Sequence, residues 1–262
     1  MKLDGNQIRD YWRNQALTFG ADHRASWTDV NAINLEITEI SKRLRDGMKV
    51  IDIGCANGFS TKQYAQRFKI AIKGVDYVPE MIAAAKTELA QQRSLRGTAS
   101  FAVGDINGLD EPTAYYDVAI VARVIINLPD RNKQVAAIRE AGRTVKPGGL
   151  LLLSEATREG LNRLNSFRAE WAMPAIPEPA FNNYVDEDLV RSAATELLEL
   201  EEISNFSSTY FIGTRIIKPL LARIAGDVVD PNRADMEWNR FFSMLPAAGD
   251  YGTQKLFVLR RT

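Results

Sequence analysis

The sequence predicts an α/β fold built on a parallel sheet, and three observations carry that expectation. Between Lys49 and Thr157, short apolar runs alternate with longer amphipathic ones, the rhythm of repeated strand and helix units. The run Val50-Ile51-Asp52-Ile53 ends in Gly54-Cys55-Ala56-Asn57-Gly58 and turns amphipathic at Phe59-Ser60-Thr61, which reads as a strand, a tight turn and a helix start. Lys146-Pro147-Gly148-Gly149 then stops the last helix of this region before a further apolar run.

Taken in order, strands are expected over residues 50–54, 70–76, 100–104, 117–122 and 150–155, with helices over 60–68, 79–92 and 131–145. The helix from Pro79 carries Glu80 in its first turn, where a fixed φ and a negative charge both suit a helix N-terminus. After Thr157 the rhythm changes. Residues 158–184 hold Pro174, Pro177, Pro179 and the pair Asn182-Asn183, which read as a helix and then an irregular crossing segment. Asp186 suits the N-cap of a helix running to about Glu196, followed by a strand over 200–206 and a final strand over 255–259. Residues 207–254 are far longer than a hairpin loop of about 2 to 5 residues. They contain Tyr210, Phe211, Arg215, Trp238, Phe241, Phe242 and Tyr251, so they are expected to form a lid, a binding element or the interface of a homodimer. At the other end, Ile33, Ile37, Ile40 and Leu44 lie on one stripe of a helix over 29–44. The aromatic residues ahead of it, Tyr11, Trp12, Phe19 and Trp27, either close over a ligand pocket or pin the terminus.

Composition narrows the function. The chain of 262 residues has 33 Lys plus Arg against 33 Asp plus Glu, so no overall field draws it to nucleic acid or an anionic membrane, and a small-molecule partner fits better. The first ten residues lack the apolar core of a secretory signal, and no apolar run approaches the roughly 20 residues that span a bilayer. A cytoplasmic protein with no membrane contact is expected. With one cysteine, Cys55, and one histidine, His23, the chain has no internal disulfide and no Cys/His metal set, so no metal is expected.

Gly54, Ala56 and Gly58 stand at alternate positions of the first turn, where small residues let a backbone come close to a ligand and the following helix presents its N-H groups and dipole. A nucleotide-like cofactor follows from this. A dinucleotide fingerprint has the spacing G-x-G-x-x-G, and Gly54-x-Ala56-x-Gly58 is one residue short of it. The turn, preceded by Asp52, resembles instead the first motif of class I S-adenosylmethionine-dependent methyltransferases. The likeness continues in Gly74-Val75-Asp76-Tyr77, Val103-Gly104-Asp105-Ile106, Tyr116-Asp117-Val118-Ala119-Ile120-Val121 and Val145-Lys146-Pro147-Gly148-Gly149, and covers roughly residues 49–157.

The resemblance implies a Rossmann-like, seven-stranded, mostly parallel sheet with an antiparallel last strand and helices on both faces. It also implies one methyltransferase domain over 1–262, with a cofactor core at 46–157 and a substrate cap from residues 1–45, 158–185 and 207–254. S-adenosylmethionine is the implied cofactor. Its methionine part would run beside Asp52, Gly54, Cys55, Ala56, Asn57 and Gly58; Asp76 would hold the ribose hydroxyls, and Asp105 the adenine amino group. Tyr77, Met81, Gly104, Ile106 and Arg123 complete the implied contact set.

Residues near the carboxyl ends of the strands are candidates for the acceptor side. Arg123, after an apolar strand, suits either a substrate or cofactor carboxylate or a salt bridge such as one to Glu155. Glu155 itself either binds substrate or ends its strand in solvent. Asn127 is a substrate contact or a turn residue, while Tyr11 and the cap residues Asn182, Asn183, Tyr184, Tyr210, Arg215 and Tyr251 are expected either to offer hydrogen bonds and aromatic faces to substrate or to serve the cap's own packing and turns. His23, the sole imidazole, is the candidate general base or else a surface residue. Methyl transfer to an oxygen of a sugar or secondary metabolite is the expected reaction, with a small amine as the alternative acceptor and a nicotinamide oxidoreductase as the alternative class.

Overall fold

The computed structural model describes residues 3–92, 94–194, 197–226, 228 and 230–262. Seven strands, β1 Lys49–Ile53, β2 Ala71–Asp76, β3 Thr98–Val103, β4 Tyr116–Ala122, β5 Val145–Ala156, β6 Leu198–Ser204 and β7 Gln254–Arg261, form one sheet in the order β3-β2-β1-β4-β5-β7-β6. Strands β1 to β5 are parallel. β7 lies antiparallel between β5 and β6. The helices are α1 Gly5–Phe19, α2 Val30–Ser41, α3 Phe59–Arg67, α4 Pro79–Gln91, α5 Arg131–Thr144, α6 Arg158–Glu170, α7 Glu187–Ala193, α8 Ser208–Ile212, α9 Lys218–Ile224 and α10 Glu237–Ser243. No helix among the described residues is long and apolar enough to cross a membrane. The end expected at Glu196 for the helix from Asp186 lies outside the described residues.

Period-two alternation in the strands splits the core between the two faces. Ile51, Ile53, Ala119, Val121, Leu151 and Leu153 point to α5 and α7, which answer with Ile138, Leu189 and Val190. Val50, Val118, Ile120 and Leu152 point the other way, to α2 and α3, where Ile33, Ile37, Ile40, Tyr64 and Ala65 meet them. Full burial of each such large apolar side chain contributes about 1.5 to 3 kcal/mol. The sheet is therefore covered on both sides and its carboxyl edge is left for a site.

The glycine pair Gly148-Gly149 corrects one expectation. The expected turn between a helix and a strand at residue 150 is instead part of β5, which begins at Val145, paired with Tyr116, and resumes pairing at Leu150 with Val118. The residues between bulge out of the strand. Gly148 takes a φ of +78°, and a Cβ on Gly149 would lie 2.6 Å from the Asp117 carbonyl oxygen.

The segments outside this core gather over one edge. The stretch between β6 and β7 folds as α8, a π-helical turn Gly213–Ile217, α9 and α10. Its Tyr210, Phe211 and Ile216 pack on Leu164 of α6 and Ala32 of α2.

Candidate active site

A cavity of about 670 Å³ opens at the carboxyl ends of β1, β2 and β4, beneath α1 and beside α6 and the Tyr210–Arg215 region. Its floor is the turn after β1, where the N-H groups of Gly54 and Cys55 both donate to the Val75 carbonyl, at 2.7 and 3.0 Å. Small residues serve this turn for a different reason from the one expected. A Cβ on Gly54 would fall 2.1 Å from Val124 Cγ2, and one on Gly58 would fall 2.5 Å from the Phe101 ring. The missing side chains make room for the protein itself. Gly58, the N-cap of α3 with a φ of +73°, does not line the cavity, whereas Gly54, Cys55 and Ala56 do.

Three carboxylates line one side of the cavity. Asp76 Oδ2 accepts from the Ala56 N-H and Oδ1 from the Val78 N-H, both at 2.9 Å, which binds the first turn to the end of β2. Burial pushes its carboxyl up to about 6, and the charge of Asp105 adds to this. Asp52 Oδ2 accepts from Thr61 Oγ1 at 2.5 Å and is also pushed up to about 6 by burial. Asp105 Oδ1 accepts from the backbone and side-chain nitrogens of Asn107. No salt bridge to any of the three is formed among the described residues.

Asp52 and Asp76 are buried and Asp105 is exposed; buried carboxylates without cations call for a ligand with several donors or a positive charge. Hydroxyls on adjacent carbons, an amino group and a sulfonium answer that description, so the residues fit the cofactor implied by the sequence. Tyr77, Met81, Gly104 and Ile106 also line this end, Met81 and Ile106 as buried apolar wall. Cys55 lines the cavity as a mainly buried thiol whose pKa burial raises well above its ordinary value, an inert packing group.

Asn57 lines the cavity and has a second role beside it. Its Nδ2 donates to the carbonyls of Gly20 and Asp22, at 2.8 and 2.7 Å, and its Oδ1 accepts from the Phe59 N-H at 3.3 Å. A buried side chain of the cofactor turn thus latches the N-terminal segment. That segment crosses the cavity as α1, held further by Arg13 on Glu80 at 2.7 Å, by Arg9 on the Tyr77 carbonyl at 3.2 Å, and by Tyr11 stacked 4.7 Å from Phe181. Tyr11 lines the cavity. His23 does not: its ring stands 5.7 Å from Phe59 and its Nδ1 lies 3.3 Å from Asp22 Oδ1.

At the other end of the cavity, Arg123 follows β4 with a φ of +59°. Its partner is Glu36 rather than Glu155, and its guanidinium lies 5.4 Å over the Trp27 ring. Glu36 also accepts from Ser154 Oγ at 2.6 Å and Gln254 Nε2 at 3.1 Å, closing a buried polar network beside the cavity. Glu155 neither ends in solvent nor lines the cavity. It is fully buried, accepts from the Val124 and Ile125 N-H groups at 2.8 Å each, and is pushed up to about 8 by that burial.

Among the expected substrate contacts, Asn127 and Tyr184 line the cavity. Asn127 Nδ2 donates to the Arg123 carbonyl at 2.8 Å and its Oδ1 accepts from Asn182, which lines the cavity in place of its neighbour Asn183. Asn183 is a staple instead, donating its N-H to the Ile126 carbonyl at 2.5 Å and accepting from Arg158. Tyr251 lies outside the lining, packed edge-on to Phe167 at 5.5 Å. Glu36 has no counterpart among the expected site residues, although it interrupts the apolar stripe of α2 at a buried position; Arg215 lines the cavity as a cap residue, but its partner Asp29 lies 186 residues away and has no local signal.

Residues 50–149 match the family described as a methyltransferase domain. Phosphoethanolamine N-methyltransferase 3 of Arabidopsis thaliana is 27% identical over 142 residues, 54% of this chain and 25% of that protein. The ubiquinone biosynthesis O-methyltransferase of Leptothrix cholodnii is 25% identical over 149 residues, 56% of this chain and 61% of that protein. The chain spans only part of either relative's length. Magnesium protoporphyrin IX methyltransferase of Synechocystis PCC 6803, solved with bound SAH, superposes with a TM-score of 0.60 at 14% identity, over 99% of this chain and 100% of that one.

Proposed function

We propose that this chain, a class I S-adenosylmethionine-dependent methyltransferase by its core, moves a methyl group to an acidic oxygen of a small molecule. The observation that carries this reading is the division of one cavity into unlike ends. Asp52, Asp76 and Asp105 line one end, and these are its only carboxylates among the described residues. Arg123 and Arg215 line the other, with no imidazole beside them; Arg9, Arg24 and Lys133 also line the cavity, Arg9 on the Tyr77 carbonyl at its carboxylate end.

When bound, S-adenosylmethionine supplies an electrophilic methyl on a sulfonium. Asp76, already fixed by two backbone N-H groups, keeps lone pairs to accept from the ribose hydroxyls, and the unbonded oxygen of Asp105 is suited to the adenine amino group. Ala56 and Cys55 border the methionine part. The acceptor end contributes alignment and a dry wall, which matter most for a displacement that creates no new charge.

An aliphatic hydroxyl, as on a sugar, needs a base to lose its proton, and no group of that kind lines the acceptor end. A phenolic or carboxylic oxygen does not, because a nearby guanidinium favours its anion. The same guanidinium disfavours an ammonium. A secondary metabolite with an acidic oxygen therefore fits better than a sugar or a small amine. The test is incubation with S-adenosylmethionine and a matched set of phenols, carboxylic acids, sugars and amines, with mass spectrometry locating the methyl. Methyl on oxygen is the expected result; methyl on nitrogen alone overturns the reading in favour of an amine acceptor.

A further inference from the structure

The acceptor end holds two ion-paired arginines, Arg123 on Glu36 and Arg215 on Asp29. Arg215 lines the cavity and its Nη2 meets Asp29 Oδ2 at 3.2 Å, while the side chain stays 29% exposed. Asp29 is already shared: its Oδ1 accepts from the Ala32 N-H at 3.2 Å and the Tyr210 hydroxyl at 2.6 Å. Behind Arg215 sit two further cations. Arg168 is buried, its guanidinium donating to the carbonyls of Pro174 and of Arg215 itself, and Lys218 is buried on Asn239 Oδ1 and the Arg233 carbonyl. Neither forms a salt bridge among the described residues, and the charge of Arg215 presses both of their pKa values down in addition to burial. The charges of Asp29, Asp230 and Asp235 act the other way on Lys218.

The backbone aims this group. Arg215 lies at the centre of the π-helical turn Gly213–Ile217, a wide turn that interrupts the helix and leaves carbonyls to be satisfied elsewhere. The Trp238 indole donates to the Gly213 carbonyl at 2.9 Å, and Thr214 Oγ1 donates to the Tyr210 carbonyl at 2.7 Å. A Cβ on Gly213 would fall 2.0 Å from the Phe242 ring, so glycine is required for that packing. Leu161, Leu164, Ile176 and Phe211 line the same cavity, and the Phe211 ring centre lies 5.2 Å from the guanidinium carbon of Arg215.

We propose that the methyl acceptor carries a carboxylate, separate from the methylated atom, that Arg215 holds beside an apolar body. The inference rests on the methyltransferase reading above and names the substrate class of that site. A planar carboxylate matches the guanidinium fork, and an apolar body matches the Phe211 ring beside it and the apolar side chains of the same cavity. The positive charge of Arg168, which forms no salt bridge among the described residues, favours the anion from behind without touching it.

The test titrates 4-hydroxyphenylacetate, 4-hydroxycinnamate and octanoate, each against its carboxamide, into the protein loaded with S-adenosylhomocysteine. At least one carboxylate is expected to bind tenfold or more tighter than its amide. Arg215→Gln is expected to abolish that preference, and Arg215→Lys to restore part of it. Asp29→Asn frees the guanidinium and is expected to tighten carboxylate binding, a direction that mere structural damage does not give. Equal binding of acid and amide, binding of neither, or a preference that survives Arg215→Gln overturns the proposal. Failure of S-adenosylhomocysteine to load instead overturns the methyltransferase reading on which it rests.

Discussion

The Ala56 N-H donates to Asp76 Oδ2 at 2.9 Å, so the turn that follows the first strand and the carboxylate that ends the second are one unit. Ala56 holds a φ of +47° to do so, in a region L side chains seldom adopt. Asp76→Ala is expected to weaken S-adenosylmethionine binding by about 1 to 3 kcal/mol, through loss of the hydroxyl acceptor and of the bond that shapes the turn. Calorimetry checks this; unchanged affinity would refute the ribose assignment.

Burial raises Asp52 and Asp76 to about 6, above their ordinary carboxylate range. The ligand-free fold favours the neutral form more than the unfolded chain does, so the stability these groups contribute is present at low pH and lost as pH rises through about 6. Ligand hydroxyls need the charged form. Cofactor affinity is therefore expected to be flat above about pH 7 and to fall below pH 6 by as much as about tenfold per unit for one group. The thermal shift given by S-adenosylhomocysteine should shrink over the same window, and an affinity independent of pH between 7 and 5 would contradict it.

Asn57→Ala removes the two bonds that fasten the N-terminal segment to the cofactor turn. Hydrogen exchange across residues 5–22 is expected to accelerate, and cofactor release to quicken more than cofactor association slows. Protection unchanged in that segment would show that Arg13, Arg9 and Tyr11 hold α1 without the latch.

Gly54→Ala places a methyl 2.1 Å from the nearest Val124 carbon at a backbone φ of +75°. A loss of about 1 to 3 kcal/mol in stability is expected from strain and overpacking together. Chemical denaturation measures it. Tyr251→Ala, by contrast, touches no lining residue position and is expected to leave cofactor affinity and turnover unaltered.

The parallel core was legible because its signals are local: apolar runs of strand length, a turn of small residues, and acids at fixed distances from them. The chemistry of Asp76 came with that pattern. What the glycines avoid did not, since Val124 and Phe101 approach Gly54 and Gly58 from distant parts of the chain. The acceptor end was the least legible for the same reason. Arg123 was noticed, but its partner Glu36 lies 87 residues away on α2, and Asn182 and Asn183 look alike in sequence although only the first faces the cavity. Arg215 gains its meaning from Asp29, Arg168 and a π-helical turn, none of which has a local signature.

The most direct measurement is calorimetric titration of the ligand-free protein with S-adenosylmethionine, S-adenosylhomocysteine and NAD, in wild type and in Asp76→Ala. Binding of the first two at one site, no binding of NAD, and weakened binding in the variant are expected. Binding of NAD alone, or of none of the three, would contradict the assignment of Asp52, Asp76 and Asp105 as the cofactor end of this cavity.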